Sequence, residues 1–220
     1  AYLAKVAATV DIISGGRVEM GIGAGWYEHG WRAYGYGFPS SGERVARLDE
    51  GAQIMQQAWR TGSATLDGKH YQVDNAIVRP LPLQEGGIPT WIAGGGEKVT
   101  LKIAAKYAQY TNFSGAPEEF DAKSALLREH TIAVGTDFDA IVRSSNYNTV
   151  IGATEAEVAD RIDAIEARVA PFLGKRTEGF MREYRSGTAL CVGTPEQVVE
   201  RLSDMKARGL GYAINYFPEA

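Results

Sequence analysis

Apolar strand-like segments alternate with amphipathic helical segments along nearly all of this 220-residue chain, and glycine or a polar residue follows almost every strand. That alternation constrains the fold most, because strands joined through helices run parallel and their crossovers are right-handed. Residues 1–13 place Leu3, Val6, Ala7 and Val10 at helical spacing, and Gly15-Gly16 stops the turn. A strand is expected over 17–23. A helix follows from Ser41 to about Arg60, with Val45, Leu48, Ala52, Met55 and Trp59 on one face.

Asp67-Gly68 lies between two alternating segments, the signal for a β-hairpin. A strand is expected over 89–94, ending in Gly94-Gly95-Gly96, with the helix "EKVTLKIAAKYA" directly after it. A short strand at 109–113 precedes a helix carrying Pro117 in its first turn, and "FDAIVRSSNYNTVIG" reads as a longer strand. "TEAEVADRIDAIEARVAPFLG" is an amphipathic helix, and residues 172–190 carry no readable pattern. Thr194 then caps a helix with Pro195 at its first position, and 211–216 forms the last strand.

Two parallel α/β architectures accept this order, a doubly wound sheet and a TIM (β/α)8 barrel. The strand ends favour the barrel. Gly23-Ala24-Gly25, Gly94 to Gly96, Asn112 to Gly115 and Asn215 would all meet on the face where barrel sites assemble. Five strands suit a barrel, against the eight that close one.

The chain is 45% hydrophobic and 23% charged, enough to bury the core of one domain over residues 1–220. A net charge of -4 without a basic run gives no electrostatic reason to expect a nucleic-acid partner. The lone Cys191 provides no disulfide framework and suits a reducing, cytoplasmic setting. No apolar run approaches the roughly 18 residues of a membrane span. The chain opens on a helical segment without an initiator Met, so an N-terminal portion is expected to be missing.

Gly21-Ile22-Gly23-Ala24-Gly25 is G-x-G-x-G, not the dinucleotide fingerprint G-x-G-x-x-G, and the next helix is expected only near Ser41. Its small residues suit either close backbone packing or close approach of a ligand. Gly94 to Gly96 offer a phosphate the amides and positive end of the following helix, or else form only a tight turn. Glu28 and His29, past a strand end, could do acid–base work or be an exposed loop pair. Trp26, Tyr27, Trp31, Tyr34 and Tyr36 could line a pocket for a planar ring or anchor their loop. His70 and His130 read as solvated. No histidine or cysteine pair has metal-ligand spacing, and no G-x-S-x-G elbow is present.

The stretch "LAKVAATVDIISGGRVEMGIGAGWYEHGWRAYG" resembles a segment of luciferase-like oxidoreductases, the luciferase-like monooxygenase superfamily of flavin- or deazaflavin-dependent barrel enzymes. "FPSSGERVARLDEGAQIMQQAWRTG", "GKHYQVDNAIVRPLPLQ", "IPTWIAGGGE" and "GTPEQVVERLSDMKARGLGYAINYFP" continue it, with the actinobacterial type that uses coenzyme F420 most similar. The resemblance implies that this chain supplies strands four to eight of a TIM barrel, a partial barrel without strands one to three or the final helix. The family's acid–histidine pair after strand two has no counterpart here. Gly23 and Gly25 would lie beside the cofactor ring, Ala93, Gly94, Gly95 and Gly96 at its phosphate, and Asn112 close to the cofactor, with Glu28 the polar partner. The implied activity is hydride transfer between F420 and a small organic substrate, in a homodimer. An FMN-dependent monooxygenase is the alternative, and a non-catalytic cofactor-binding or structural protein the alternative of another class.

Overall fold

The computed structural model describes residues 1–218 apart from 114 and 188. Ser114, part of the polar stretch expected after the 109–113 strand, therefore lies outside the described residues. In chain order the elements are α1 (Tyr2–Ser14), β1 (Met20–Ile22), α2 (Glu28–Ala33), α3 (Ser41–Thr61), β2 (Ser63–Asp67), β3 (Gln72–Ile77), β4 (Thr90–Ala93), α4 (Thr100–Tyr107) and β5 (Tyr110–Asn112). There follow α5 (Pro117–Val134), β6 (Val142–Asn148), β7 (Val150–Ile151), α6 (Glu155–Leu173), a 3-10 turn, α7 (Thr177–Arg185), β8 (Val192–Gly193), α8 (Pro195–Ala207) and β9 (Leu210–Tyr216). The described residues pack as two compact units, one within Ala1–Asn112 and Ala125–Ile141 and one within Phe113–Ser124 and Val142–Ala220. The class is α/β with parallel strands, as expected. The described strands do not close into a barrel.

In the first unit β1, β4 and β5 run side by side and parallel. Side chains alternate across a strand, so this sheet has two chemically different faces. Met20 and Ile22 face a core built from Ala4, Ala7 and Ala8 of α1 and Ile54, Met55, Ala58 and Trp59 of α3. Gln56 of α3 donates to the Thr90 hydroxyl at 2.9 Å, tying the helix to β4. The Trp59 indole donates to the Ala4 carbonyl at 2.9 Å, tying it to α1.

Helix α1 turns most of the stripe read from its sequence outward. It buries Ala4, Ala7, Ala8 and Asp11 and leaves Leu3, Val6 and Val10 exposed, so the stripe read from the larger residues is the outer one. Small side chains let α1 lie close to α3. Asp11, fully buried, accepts from the Leu83 amide and the Gln84 side chain at 2.8 Å each and from the Val18 amide at 3.2 Å. Gly15 closes the helix at φ 72°, the left-handed turn that glycine takes without strain.

The hairpin is present, with β2 and β3 antiparallel and Asp67 level with Gln72, so residues 68–71 make the turn. Glu50 of α3 holds that turn by accepting from the amides of Lys69, His70 and Tyr71 at 2.8–2.9 Å.

In the second unit β6 pairs with β9 in parallel, Arg143 level with Leu210 and Asn148 with Tyr216. The longer strand expected here is divided into β6 and β7, and β7 pairs with β8 instead. Helices α6 and α7 bury Val158, Ile162, Ile165, Met181 and Tyr184 together. Thr194 and Gln197 form a capping box at α8, with Pro195 at its first position, as read from the sequence. The unreadable stretch 172–190 contains the 3-10 turn and α7. Arg201 fixes the chain after it, donating to the carbonyls of Gly187, Ala189 and Val192 at 2.7–3.0 Å.

Candidate functional site

Three parallel strands of the first unit end at the same level. Ile22 is level with Ile92, and Ala93 with Asn112, which places Gly23, Ala93 and Asn112 in one row across β1, β4 and β5. A Cβ built on Gly23 would lie 3.5 Å from the Ala93 carbonyl oxygen. By alternation the row lies on the face opposite the helical core, and two of its three members have almost no side chain. Gly21, Trp91 and Tyr110 form the next row on that face, one step back along each strand. There the Trp91 and Tyr110 rings stack with centroids 4.3 Å apart and planes 8° apart. The Trp91 indole donates to the Glu19 carboxylate at 2.7 Å.

The Gly94–Gly96 turn departs in part from the phosphate-loop expectation. The Gly94 amide donates to the Asn112 carbonyl at 3.0 Å, extending the ladder between β4 and β5. The helix does not begin at once, because α4 starts at Thr100. Gly94 has φ 124°, and a Cβ on Gly96 would lie 2.7 Å from the Thr100 hydroxyl. Both therefore have structural reasons to be glycine. The amides of Gly95 and Gly96 have no partner among the described residues. His130 is not merely a solvated residue, since its Nε2 lies 2.9 Å from the Glu97 carbonyl at this turn.

Gly25 takes φ 76°, and a Cβ there would collide with the Trp31 indole at 2.5 Å. Its carbonyl accepts from Arg44 at 3.0 Å. Glu28 and His29 open α2, a six-residue helix within the stretch expected to be irregular until Ser41. Glu28 pairs with Arg32 at 2.7 Å on an exposed surface, and the His29 ring meets that of Tyr27 at 5.8 Å. Trp31, Tyr34 and Tyr36 line a cavity of about 650 Å3 together with Gly23 and α3. Trp26 and Tyr27 are exposed.

The luciferase-like monooxygenase family model matches residues 1–211. The chain belongs to that family. Among curated luciferase-like relatives it is 26% identical to the FMNH(2)-dependent dimethylsulfone monooxygenase of Pseudomonas fluorescens (strain Pf0-1), covering 99% of this chain and 65% of the relative. It is 27% identical to the F420-dependent glucose-6-phosphate dehydrogenase of Mycolicibacterium smegmatis, covering 99% and 68%. The chain thus spans about two thirds of the length of these two enzymes. Its fold is similar to that of the monooxygenase RslO1 from Streptomyces bottropensis, with a TM-score of 0.75 at 20% identity over 98% of this chain and 66% of that one.

Within this luciferase-like chain, sequence reasoning missed Trp91, Tyr110 and Glu19. Each looks like an ordinary strand residue until register sets them side by side. It also missed Asp11, although a carboxylate four residues after Ala7 on an alanine-lined helix face was a readable signal. Among the described residues there is no cluster of three or more His, Cys, Asp or Glu able to hold a metal. No described helix is long and apolar enough to cross a membrane.

Proposed function

We propose that this chain carries cofactor-binding elements of a two-electron oxidoreductase, with F420 as the cofactor and a small organic molecule as the substrate. The observation that carries the reading is the row Gly23–Ala93–Asn112 at the ends of three adjacent parallel strands, bare of bulky side chains above a Trp91–Tyr110 stack. A planar ring fits against such a row, and the Gly95 and Gly96 amides, without a partner among the described residues, suit a phosphate. In this proposal β1, β4 and β5 of the first unit and β6 and β9 of the second correspond, in chain order, to strands four to eight of a TIM barrel.

F420 supplies hydride chemistry when bound. The residues supply what remains: Gly23, Gly25 and Ala93 allow close approach, the Gly95 and Gly96 amides hold phosphate, Asn112 offers an amide side chain, and Trp91 backs the floor with apolar surface. Gly94 acts through the backbone, fixing the turn on Asn112. Glu28 is the proposed polar partner, at the start of α2 and paired with Arg32.

FMN is the second reading, supported by the FMNH(2)-dependent relative. Titrating the chain with F420 and with FMN, followed by tryptophan fluorescence, tests both. Saturable F420 binding tighter than FMN supports the proposal, the opposite order supports the monooxygenase reading, and no binding of either removes both. The homodimer belongs to the same proposal, with Leu3, Val6, Val10 and Ile13 on the exposed face of α1 as its apolar contact. Sedimentation over a concentration series that shows only monomer would remove it.

A further inference from the structure

Helix α3 runs unbroken for 21 residues, yet it carries a glycine in its middle. A glycine there weakens the helix relative to alanine. Packing does not explain it. A Cβ at Gly51 would meet only the Tyr71 ring, at 3.9 Å, which is ordinary contact. Gly51 does line the cavity of about 650 Å3 that α3 shares with the end of β1 and the aromatic loop. A larger residue at this position would project from the cavity wall, so the glycine keeps the space open.

The rest of the lining gives the space a chemistry. Ile22, Leu48, Met55 and Trp31 supply apolar walls, and the volume lies within the roughly 300–1,000 Å3 of small-molecule sites. The charged residues of the lining are Arg44 and Arg47; the Glu43 carboxylate that pairs with Arg47 lies outside the lining. Arg44 is committed, donating to the Gly25 carbonyl and lying over the Phe38 ring at 4.0 Å. Arg47 donates through one terminal nitrogen to Glu43 at 2.6 Å, while its buried Nε has no partner. The Arg47 side chain is partly exposed and its other terminal nitrogen has no hydrogen-bond partner among the described residues, so an anionic acceptor in the cavity can meet the guanidinium there.

We propose that this cavity binds a small aromatic molecule bearing one anionic group, the rings against Leu48, Met55 and Trp31 and the anion at Arg47. The cavity shares Gly23 with the proposed cofactor floor, but the proposal is argued from α3 and the aromatic loop, and its test uses no cofactor. The probe is 1-anilinonaphthalene-8-sulfonate, with uncharged N-phenyl-1-naphthylamine as its partner lacking the sulfonate. Both are titrated into the 220-residue chain and into Gly51→Leu and Arg47→Met, each shown by a cooperative melt to be folded. Gly51→Leu fills the space and improves helix propensity, so it is expected to melt no lower while binding both probes about tenfold more weakly or worse. Arg47→Met keeps the apolar stem and is expected to lose at least about fivefold in affinity for the sulfonate probe alone. Unchanged affinity for both probes in Gly51→Leu overturns the site. Equal weakening of both probes in Arg47→Met overturns its anionic chemistry. A change in sedimentation on Gly51→Leu, without a change in probe affinity, would instead make this face an interface and overturn the proposal.

Discussion

Trp91 on β4 and Tyr110 on β5 stack face to face, 4.3 Å between centroids, because parallel register sets them level on the same face of the sheet. The stack occupies the level just behind the strand ends and holds the Trp91 indole toward Glu19. It lies one row beneath Gly23, Ala93 and Asn112 on that face.

Replacing Trp91 with leucine removes the stacking and leaves Glu19 without the indole donor. The variant should be less stable by about 1–3 kcal/mol in urea denaturation. Trp91→Phe should recover most of this, since the ring remains. If both variants unfold with the parent, the stack contributes no stability.

The glycines of the 94–96 turn separate by role. Gly94 has a positive φ and spends its amide on Asn112, so Gly94→Ala should lower the melting temperature while leaving cofactor affinity in the folded fraction unchanged. Gly95→Val places a branched side chain beside the amides proposed to meet phosphate. Loss of two charge-assisted hydrogen bonds, roughly 1.5–3 kcal/mol each, corresponds to an affinity drop on the order of a hundredfold or more. Paired melting and binding curves distinguish these outcomes, and equal affinity for Gly95→Val would return the turn to a purely structural role.

Asp11 gives the first unit an acid-sensitive joint. Burial pushes its carboxyl pKa up, but hydrogen bonds from the Gln84 side chain and the amides of Leu83 and Val18 outweigh this and hold it below the ordinary value. A carboxyl depressed in the folded state stabilises fully above its unfolded pKa of roughly 3.9 and loses that contribution as pH falls through the folded value. Asp11→Asn should therefore flatten the fall in stability below about pH 4, and at neutral pH should cost about 1–3 kcal/mol for stranded donors. An acid-unfolding profile identical to the parent would exclude the joint.

Glu28 sits in an exposed pair with Arg32, where such contacts contribute little. Glu28→Gln should leave the melting temperature within about a degree, given surface effects within roughly 0.5 kcal/mol. Loss of turnover with cofactor affinity unchanged would then support proton transfer by Glu28, and unchanged turnover would remove Glu28 from the chemistry.

Much of the fold was legible because local signals agreed with one another. The Thr194–Pro195 cap, the Gly15–Gly16 stop and the Asp67–Gly68 hairpin each depend on residues close in sequence. The buried face of α1 was not legible because a helix packed closely on another buries its alanines and turns its larger residues outward. The division of the 138–152 strand depends on β7 finding β8 about forty residues away, which no local pattern encodes. At the candidate site, Gly23, Ala93 and Asn112 were readable as strand ends. Trp91 and Tyr110 were not, because only inter-strand register makes them neighbours.

Gly23 offers the most direct test of the cofactor floor. Its φ lies outside the left-handed region and a Cβ there would make only an ordinary contact with the Ala93 carbonyl, so Gly23→Val is expected to fold like the parent. If a planar cofactor lies against this row, the added side chain should weaken F420 binding by about tenfold or more, with FMN affected in parallel, while the melting temperature stays within a few degrees. A variant that binds F420 and FMN as tightly as the parent would contradict the assignment of the Gly23–Ala93–Asn112 row as the cofactor floor.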